Sequence, residues 1–150
     1  MTQDSPLDLA HQTVFEAGLA VRREVLGAEY VDAAMTRNAG TDGEELQKFV
    51  SEFVWGGAWT RPGLDRRSRS LINLGILIAL SQPHELSVHV RVGLSNGLTR
   101  TEITEAVIHA TAYVGVPMGM AAMRVVQETL TAELGPSPRR SRHERDSVAG

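Results

Sequence analysis

The chain of 150 residues contains no cysteine, which excludes disulfides, thiolate metal sites, iron–sulfur clusters and cysteine nucleophiles. Aromatic residues are also few, at 5% of the chain, and both tryptophans, Trp55 and Trp59, fall in one short stretch. Basic residues are not in excess, because the formal net charge is -3 and no broad positive field is available for nucleic acid. We therefore expect neither thiol redox chemistry nor nucleic-acid binding.

Long hydrophobic runs are missing as well. The densest apolar run, residues 71–80, contains Asn73 and is far shorter than the roughly 20 residues that span a bilayer. Residues 1–9 lack a basic stretch followed by an apolar run, so they do not resemble a secretory signal. These absences predict a cytoplasmic protein without a membrane partner.

Apolar residues recur at helical spacing along the chain, with no alternation typical of strands. The pattern predicts an all-α, single-domain bundle of about six to seven helices within residues 1–135. The predicted helices cover residues 7–26, 30–37, 42–55, 66–80, 84–96, 100–115 and 117–134. Residues 136–150 are polar and basic with almost no apolar content, which predicts a disordered tail.

Glycine, proline and capping residues predict where these helices end. Gly27 suits a helix C-cap, Asp65 an N-cap, and Thr99 with Glu102 a capping box. Gly56 and Gly57 are expected to break the third helix near Trp55. The helix after Asp65 is apolar nearly all round, which is typical of a helix buried on several sides. This feature predicts a homo-oligomer larger than a dimer.

Motifs for nucleotide cofactors are missing: the chain has no phosphate-binding glycine-rich loop and no dinucleotide fingerprint. His84 and His89 resemble a zinc helix at first sight, but a zinc helix needs its two histidines four residues apart. Five residues separate these two by about 140° around the helix. We therefore predict an enzyme or binding protein with no metal and no cofactor.

Glu85 and His89 are four residues apart, so they share one face of a helix within reach of each other. A carboxylate that orients or charges an imidazole can serve acid–base chemistry. An exposed pair with no function has the same spacing. His89 lies beside the apolar stripe of its helix, a position that favours the edge of a pocket.

The stretch of residues 55–69 combines both tryptophans with four arginines. Guanidinium groups bind carboxylates through two hydrogen bonds and aromatic rings can wall a site, so this cluster suits a small organic anion. Interface packing and salt bridges explain some of these arginines equally well. His109 and Tyr113, four apart, either donate into a cavity or belong to the core with a satisfied polar tip.

Five segments resemble γ-carboxymuconolactone decarboxylases in order and spacing, and the likeness extends over residues 15–134. They are residues 17–27, 55–71, 85–91, 96–97 and 112–117, and the sequence WTRPGLDRRSR of residues 59–69 is typical of the decarboxylase branch. Related thiol peroxidases have a catalytic cysteine four residues before a histidine, where this chain has Glu85. Val114 also departs from the family pattern, since many relatives have cysteine there.

The resemblance implies an alkylhydroperoxidase-like fold, a homo-oligomer such as a hexamer or trimer, and cofactor-free decarboxylation of a lactone dicarboxylate. It suggests that His89 is the acid or the oxyanion donor, with Glu85 setting its protonation. Substrate binding is assigned to the remaining candidates. Arg61 and one of Arg66 or Arg69 bind the carboxylates, Trp55 and Trp59 keep water out, and Tyr113 is a secondary hydrogen-bond donor. Two alternatives stay open: a related decarboxylase, isomerase or cyclase of another lactone or enone, and a non-catalytic oligomer that binds a small acid.

Overall fold

The computed structural model describes residues 5–138, which form seven α-helices and one π-helix. These are α1 (Pro6–Leu26), α2 (Ala28–Asn38), α3 (Glu44–Phe49), the π-helix (Val50–Trp59), α4 (Arg66–Ala79), α5 (Pro83–Ser95), α6 (Arg100–Val114) and α7 (Val116–Leu134). No strand occurs among the described residues, so the predicted all-α class is confirmed. The predicted disordered tail falls, from residue 139 onward, outside the described residues.

The chain folds into two compact units, and both are discontinuous in sequence. The first contains the described residues up to Asn73 together with Val92–Leu98. The second contains Leu74–Arg91 and the described residues from Thr99 onward. Helices α4 and α5 therefore each contribute residues to both units, a division that hydrophobic spacing along the chain does not predict.

Most predicted helix ends are confirmed. Thr99 and Glu102 form the expected capping box at the start of α6, and the backbone N–H of Ser68 donates to the Asp65 carboxylate at 2.6 Å. Gly27 ends α1 with a positive φ of 94°, a conformation that glycine adopts without steric cost. These local signals act within a few residues, which is why the sequence alone could reveal them.

The expected break at Gly56 and Gly57 is wrong, because α3 continues directly into the π-helix, which ends at Trp59. The reason is packing against α1. A Cβ on Gly18 of α1 would lie 2.0 Å from the Ser51 carbonyl oxygen, and one on Gly56 would lie 2.5 Å from the Val14 carbonyl oxygen. Glycine therefore serves here to bring two helix backbones together, and it does not end the helix.

Arg22 of α1 lies in the interior of the first unit and is only 6% exposed. Its guanidinium donates to the Ser51 hydroxyl at 2.9 Å and to the Gln47 side-chain oxygen at 2.8 Å. Burial lowers the pKa of Arg22, and a smaller contribution from Tyr30 raises it. Its Nε is buried without a hydrogen-bond partner among the described residues. Arg22 thus joins α1 to α3 and the π-helix through neutral groups.

In the second unit α6 packs along α7, and α5 is joined to α7 by two polar contacts. The Arg91 guanidinium of α5 donates to the Glu133 carboxylate at 2.8 Å. The Thr129 hydroxyl lies 3.1 Å from that of Ser87. Together these contacts fix the helix that carries Glu85 and His89.

Helix α4 buries only one of its apolar faces in the single chain. Leu74 and Ile78 are 1% and 2% exposed, whereas Ile72 and Ile76 are 48% and 49% exposed. The expectation of burial on several sides is therefore wrong for the isolated chain. Among residues 5–138, no helix has the length and hydropathy needed to cross a bilayer.

Candidate active site

His89 and Glu85 lie on α5 in the second unit, as their spacing predicts. The His89 side chain is half-buried and Glu85 is exposed. Burial lowers the pKa of His89 below its ordinary value, and the nearby Glu85 charge raises it by a smaller amount. The position between a buried and an exposed face of the helix accounts for both effects, because part of the ring loses water and the rest remains near the carboxylate.

A lowered pKa keeps the His89 imidazole neutral at neutral pH. A neutral ring has one N–H to donate and one nitrogen to accept a proton. Of the two roles proposed for His89, this state favours that of hydrogen-bond donor to an oxygen that gains negative charge. A permanently charged imidazolium is disfavoured by the burial.

Trp55 and Trp59 stack on each other in the first unit, with ring centroids 4.8 Å apart. Both are buried, at 5% and 9% exposure. They lie four residues apart in the π-helix. Their burial is consistent with the predicted role in keeping water from a site, and it equally stabilises the core of this unit.

The three predicted arginines have different environments. Arg66 forms an ion pair with the exposed carboxylate of Glu24, so the salt-bridge alternative holds for this residue. Arg69 is half-buried and donates to the Arg61 carbonyl oxygen at 2.9 Å, while its Nε is buried without a hydrogen-bond partner among the described residues. Arg61 is exposed. The structure thus brings Arg61 and Arg69 together and engages Arg66 elsewhere.

Tyr113 is 79% exposed and its ring contacts that of His109 at a centroid distance of 5.1 Å. The alternative of a core residue with a satisfied polar tip is therefore wrong in the single chain. An exposed phenol has no enclosing cavity, so donation into a pocket of the isolated chain is not supported either. The predicted contact between Tyr113 and substrate stays a prediction.

Two cavities belong to separate units. One of about 180 Å³ lies in the second unit at the junction of α4, α5 and α7. The other, of about 380 Å³, lies in the first unit, where the His11 imidazole contacts the Glu52 carboxylate. Within residues 5–138 no group of three or more carboxylate or imidazole side chains could hold a metal ion.

Comparison with known proteins gives a concordant result. The model of the carboxymuconolactone decarboxylase family matches residues 44–128, a segment that contains every predicted site residue. A nitrosuccinic acid decarboxylase of Metarhizium robertsii is 44% identical over 87% of this chain and 90% of its own. A 4-carboxymuconolactone decarboxylase of Acinetobacter baylyi is 39% identical over 83% of this chain and 91% of its own.

The chain belongs to the carboxymuconolactone decarboxylase family. It is accordingly an enzyme of the carboxy-lyase class with an alkylhydroperoxidase-like helical fold. The non-catalytic alternative is set aside by this result. A further relative, an uncharacterized 15.0 kDa protein of Paracoccus denitrificans, is 31% identical over 55% of this chain.

Two polar residues of this family member escaped the sequence analysis. Ser81 and Gln82 line the cavity of the second unit, immediately before α5. Gln82 lies seven residues before His89, which is about two helical turns and places both on a similar side. That spacing was visible in the sequence, but only the fold shows that a cavity adjoins it.

Proposed function

We propose that this enzyme decarboxylates γ-carboxymuconolactone to the enol-lactone of β-ketoadipate, without metal or nucleotide. The observation that carries the proposal is the half-buried imidazole of His89, which lies four residues after Glu85 on the same helix. The relative from Acinetobacter baylyi supports the choice of substrate. A half-buried histidine beside a carboxylate suits an enzyme that must transfer one proton and stabilise one developing oxyanion.

The reaction needs no external electron acceptor. When the C–C bond to the departing carboxylate breaks, its electron pair moves through the ring C=C bond to the lactone carbonyl oxygen, and CO2 leaves. A proton then adds to the carbon next to that carbonyl, which restores the C=O bond. The enzyme must therefore stabilise negative charge on one oxygen and deliver one proton to carbon.

Different side chains are proposed to stabilise the oxyanion and to bind the carboxylates. We assign the neutral His89 ring to the developing oxyanion as a hydrogen-bond donor, with Glu85 tuning its pKa, and water supplies the proton that adds to carbon. Arg61 and Arg69 are proposed to bind carboxylates, since Arg66 is already paired with Glu24. An Arg–carboxylate pair made before and during the reaction contributes mainly to binding. Trp55, Trp59 and Tyr113 remain the proposed walls and secondary donor.

Nitrosuccinic acid is the second candidate substrate, favoured by the 44% identity to the Metarhizium robertsii enzyme. Both candidates carry the departing carboxylate and a –CH2–COO⁻ arm on one carbon. They differ in the group that accepts the electron pair, a conjugated lactone carbonyl in one and a nitro group in the other. One set of carboxylate-binding residues therefore suits both, and the electron-accepting group distinguishes them.

The test is direct comparison of the two acids. Purified protein is mixed with freshly generated γ-carboxymuconolactone or with nitrosuccinate, in the presence of EDTA and a thiol-blocking reagent, and CO2 release is followed. We expect turnover of the lactone with kcat/KM above that for nitrosuccinate. A higher kcat/KM for nitrosuccinate would make nitrosuccinate the substrate in place of the lactone. Loss of activity in EDTA that one metal restores would refute the cofactor-free mechanism.

We also propose that the active form is a homo-oligomer, a hexamer or trimer. The half-exposed Ile72 and Ile76 of α4 support this, together with Leu80 at 61% exposure. Apolar residues exposed in one strip of a helix are typical of an interface between subunits. Light scattering at micromolar concentration should report a mass above that of a dimer, and a monomer mass would reject the proposal.

A further inference from the structure

The cavity of the second unit is lined by apolar side chains except for Ser81 and Gln82. It is lined by Leu77, Ile78, Ser81, Gln82, Pro83, Leu86, Met118, Ala121, Ala122 and Val125. None of these side chains is charged, so the cavity does not suit a carboxylate. Its volume of about 180 Å³ is similar to that of an engineered cavity of about 150 Å³ that binds benzene. A small uncharged ring therefore fits.

Ser81 occupies a backbone position that usually belongs to glycine. Its N–H donates to the Ile78 carbonyl and the N–H of Gln82 to that of Leu77, both at 3.1 Å, which is the Schellman pattern after α4. Ser81 has a φ of 52°, the single positive value among the described non-glycine residues. A Cβ in this conformation is unfavourable, so helix termination alone gives no reason for serine. The residue adds a hydroxyl at the cavity.

Gln82 supplies a second polar group at the same place. One N–H of its carboxamide donates to the Leu80 carbonyl at 3.2 Å, which leaves another N–H for a ligand. Leu86 lines the cavity four residues later, and His89 follows Leu86 by three residues on α5. Residues three and four apart are neighbours on a helix surface, so His89 is one turn beyond the cavity wall.

We propose that this cavity holds the uncharged ring of the substrate, and that the Ser81 hydroxyl and Gln82 carboxamide donate hydrogen bonds to the oxygen that gains negative charge. The inference deepens the proposed function and rests on it for the identity of that oxygen, the lactone carbonyl. The two carboxylates remain outside the apolar walls. Ser81 and Gln82 are thereby assigned as catalytic residues additional to His89.

Kinetics distinguish this role from a structural one. Donors aimed at developing charge act more strongly in the transition state than in the ground state, so their loss lowers kcat more than it raises KM. Loss of one such donor in an oxyanion hole typically lowers kcat by about 10²–10³-fold. At this partly open cavity we expect roughly tenfold or more for either Ser81→Gly or Gln82→Met.

Ser81→Gly gives the sharpest contrast. Glycine suits the positive φ, so the variant should unfold at a higher temperature than the wild type while its kcat falls. If Ser81 only ends the helix, the unfolding temperature rises and kcat is unchanged, which overturns its assignment. Gln82→Met keeps the length of the side chain and removes the carboxamide. An unchanged kcat in this variant overturns the assignment of Gln82.

The cavity as the binding site of the substrate ring, called the ring site, is tested without turnover. The probe is 2(5H)-furanone, an uncharged unsaturated lactone, which is titrated into the wild-type protein while its NMR chemical shifts are followed. Ala121→Leu should abolish saturable binding because it fills the cavity from an exposed wall position. Ala132→Leu is the matched control on the same helix, exposed and away from the cavity lining. Binding that Ala121→Leu leaves unchanged, or no wild-type binding, overturns the ring site.

These outcomes separate the two proposals. If the wild type turns over γ-carboxymuconolactone and both Ala121→Leu and Ser81→Gly keep its kcat and KM, the proposed function stands. The assignment of the cavity to the substrate ring is then rejected. Furanone binding blocked by Ala121→Leu, in a protein that does not convert the lactone, supports the ring site and rejects the proposed substrate.

Discussion

The two compact units of this enzyme differ in what lines their cavities. The cavity of about 380 Å³ in the first unit is lined mostly by charged and polar residues, which are Asp8, His11, Gln12, Phe15, Lys48 and Glu52. The cavity of about 180 Å³ in the second unit, at the junction of α4, α5 and α7, is lined mainly by apolar side chains. Charged side chains favour a hydrated cavity, whereas apolar walls suit a small uncharged molecule.

The histidines of the two units show the same contrast in their protonation. His11 is exposed, and its contact with the Glu52 carboxylate raises its pKa. His89 is half-buried, and loss of water lowers its pKa in spite of Glu85. A carboxylate neighbour is common to both, so burial decides the direction. Only the second is suited to act as a neutral donor at pH 7.

The largest expected effect concerns the two histidines directly. His89→Ala should lower kcat by roughly 10²–10³-fold, the usual contribution of one hydrogen-bond donor to a developing oxyanion. His11→Ala should leave kcat within about twofold, because this residue has no proposed role in the reaction. Steady-state kinetics with the lactone measures both. A folded His89→Ala oligomer with near-normal turnover would make His89 a structural residue.

The next effect tests the close packing of the first unit. Gly18→Ala forces a Cβ against backbone atoms, so we expect it to lower the free energy of unfolding by about 3 kcal/mol or more, at the upper end of overpacking. Gly75→Ala in α4 is the control, since no atom lies within 4 Å of its added Cβ. Gly75→Ala should raise the free energy of unfolding by about 0.5–1 kcal/mol, because alanine has a higher helix propensity than glycine. Urea denaturation that gives equal values for the two would contradict the packing argument.

A smaller effect is expected for Arg61, the exposed arginine beside Arg69. Arg61→Ala should raise KM by about tenfold and change kcat little, because a charged hydrogen bond of about 1.5 kcal/mol is lost from ground and transition states alike. Arg37→Ala, an exposed arginine at the end of α2, serves as the control. A fall in kcat at constant KM would assign Arg61 to the chemical step.

The smallest effect is a shift in the pH dependence. The Glu85 charge raises the pKa of His89, so Glu85→Gln should lower that pKa further. If the neutral ring is the active form, kcat falls as pH drops through the pKa, and the variant should lose activity at a lower pH. An acid limb of the kcat profile that stays in place would show that Glu85 does not tune His89.

The two histidines make the free energy of unfolding depend on pH in opposite directions. The pKa of His89 is below its unfolded value near 6.5, so protonation favours unfolding and stability declines as pH falls below that value. The pKa of His11 is above its unfolded value, so its contribution is present below pH 6.5 and is lost as pH rises through the folded pKa. The free energy of unfolding of His11→Ala and of His89→Gln, measured as a function of pH, distinguishes the two contributions.

Local signals in the sequence predicted much of this fold. The capping box of Thr99 and Glu102 and the ending of α1 at Gly27 depend on residues a few positions apart, and both were predicted. The break at Gly56 was wrong because that glycine contacts Val14 of another helix. The same limit applies to the candidate site. Spacing placed Glu85 and His89 on one helix, whereas the cavity beside Gln82 depends on helices far apart in the chain.

The sequence by itself determined the helical class, the family and the absence of cysteine chemistry, because composition, periodicity and motif spacing are properties of the chain. Tertiary structure alone decided which polar groups lose water. It buried Arg22 among neutral partners, half-buried His89 and left Tyr113 exposed, although all three lie on helices predicted from the sequence. Desolvation depends on what packs against a side chain, and residues distant in sequence supply that packing.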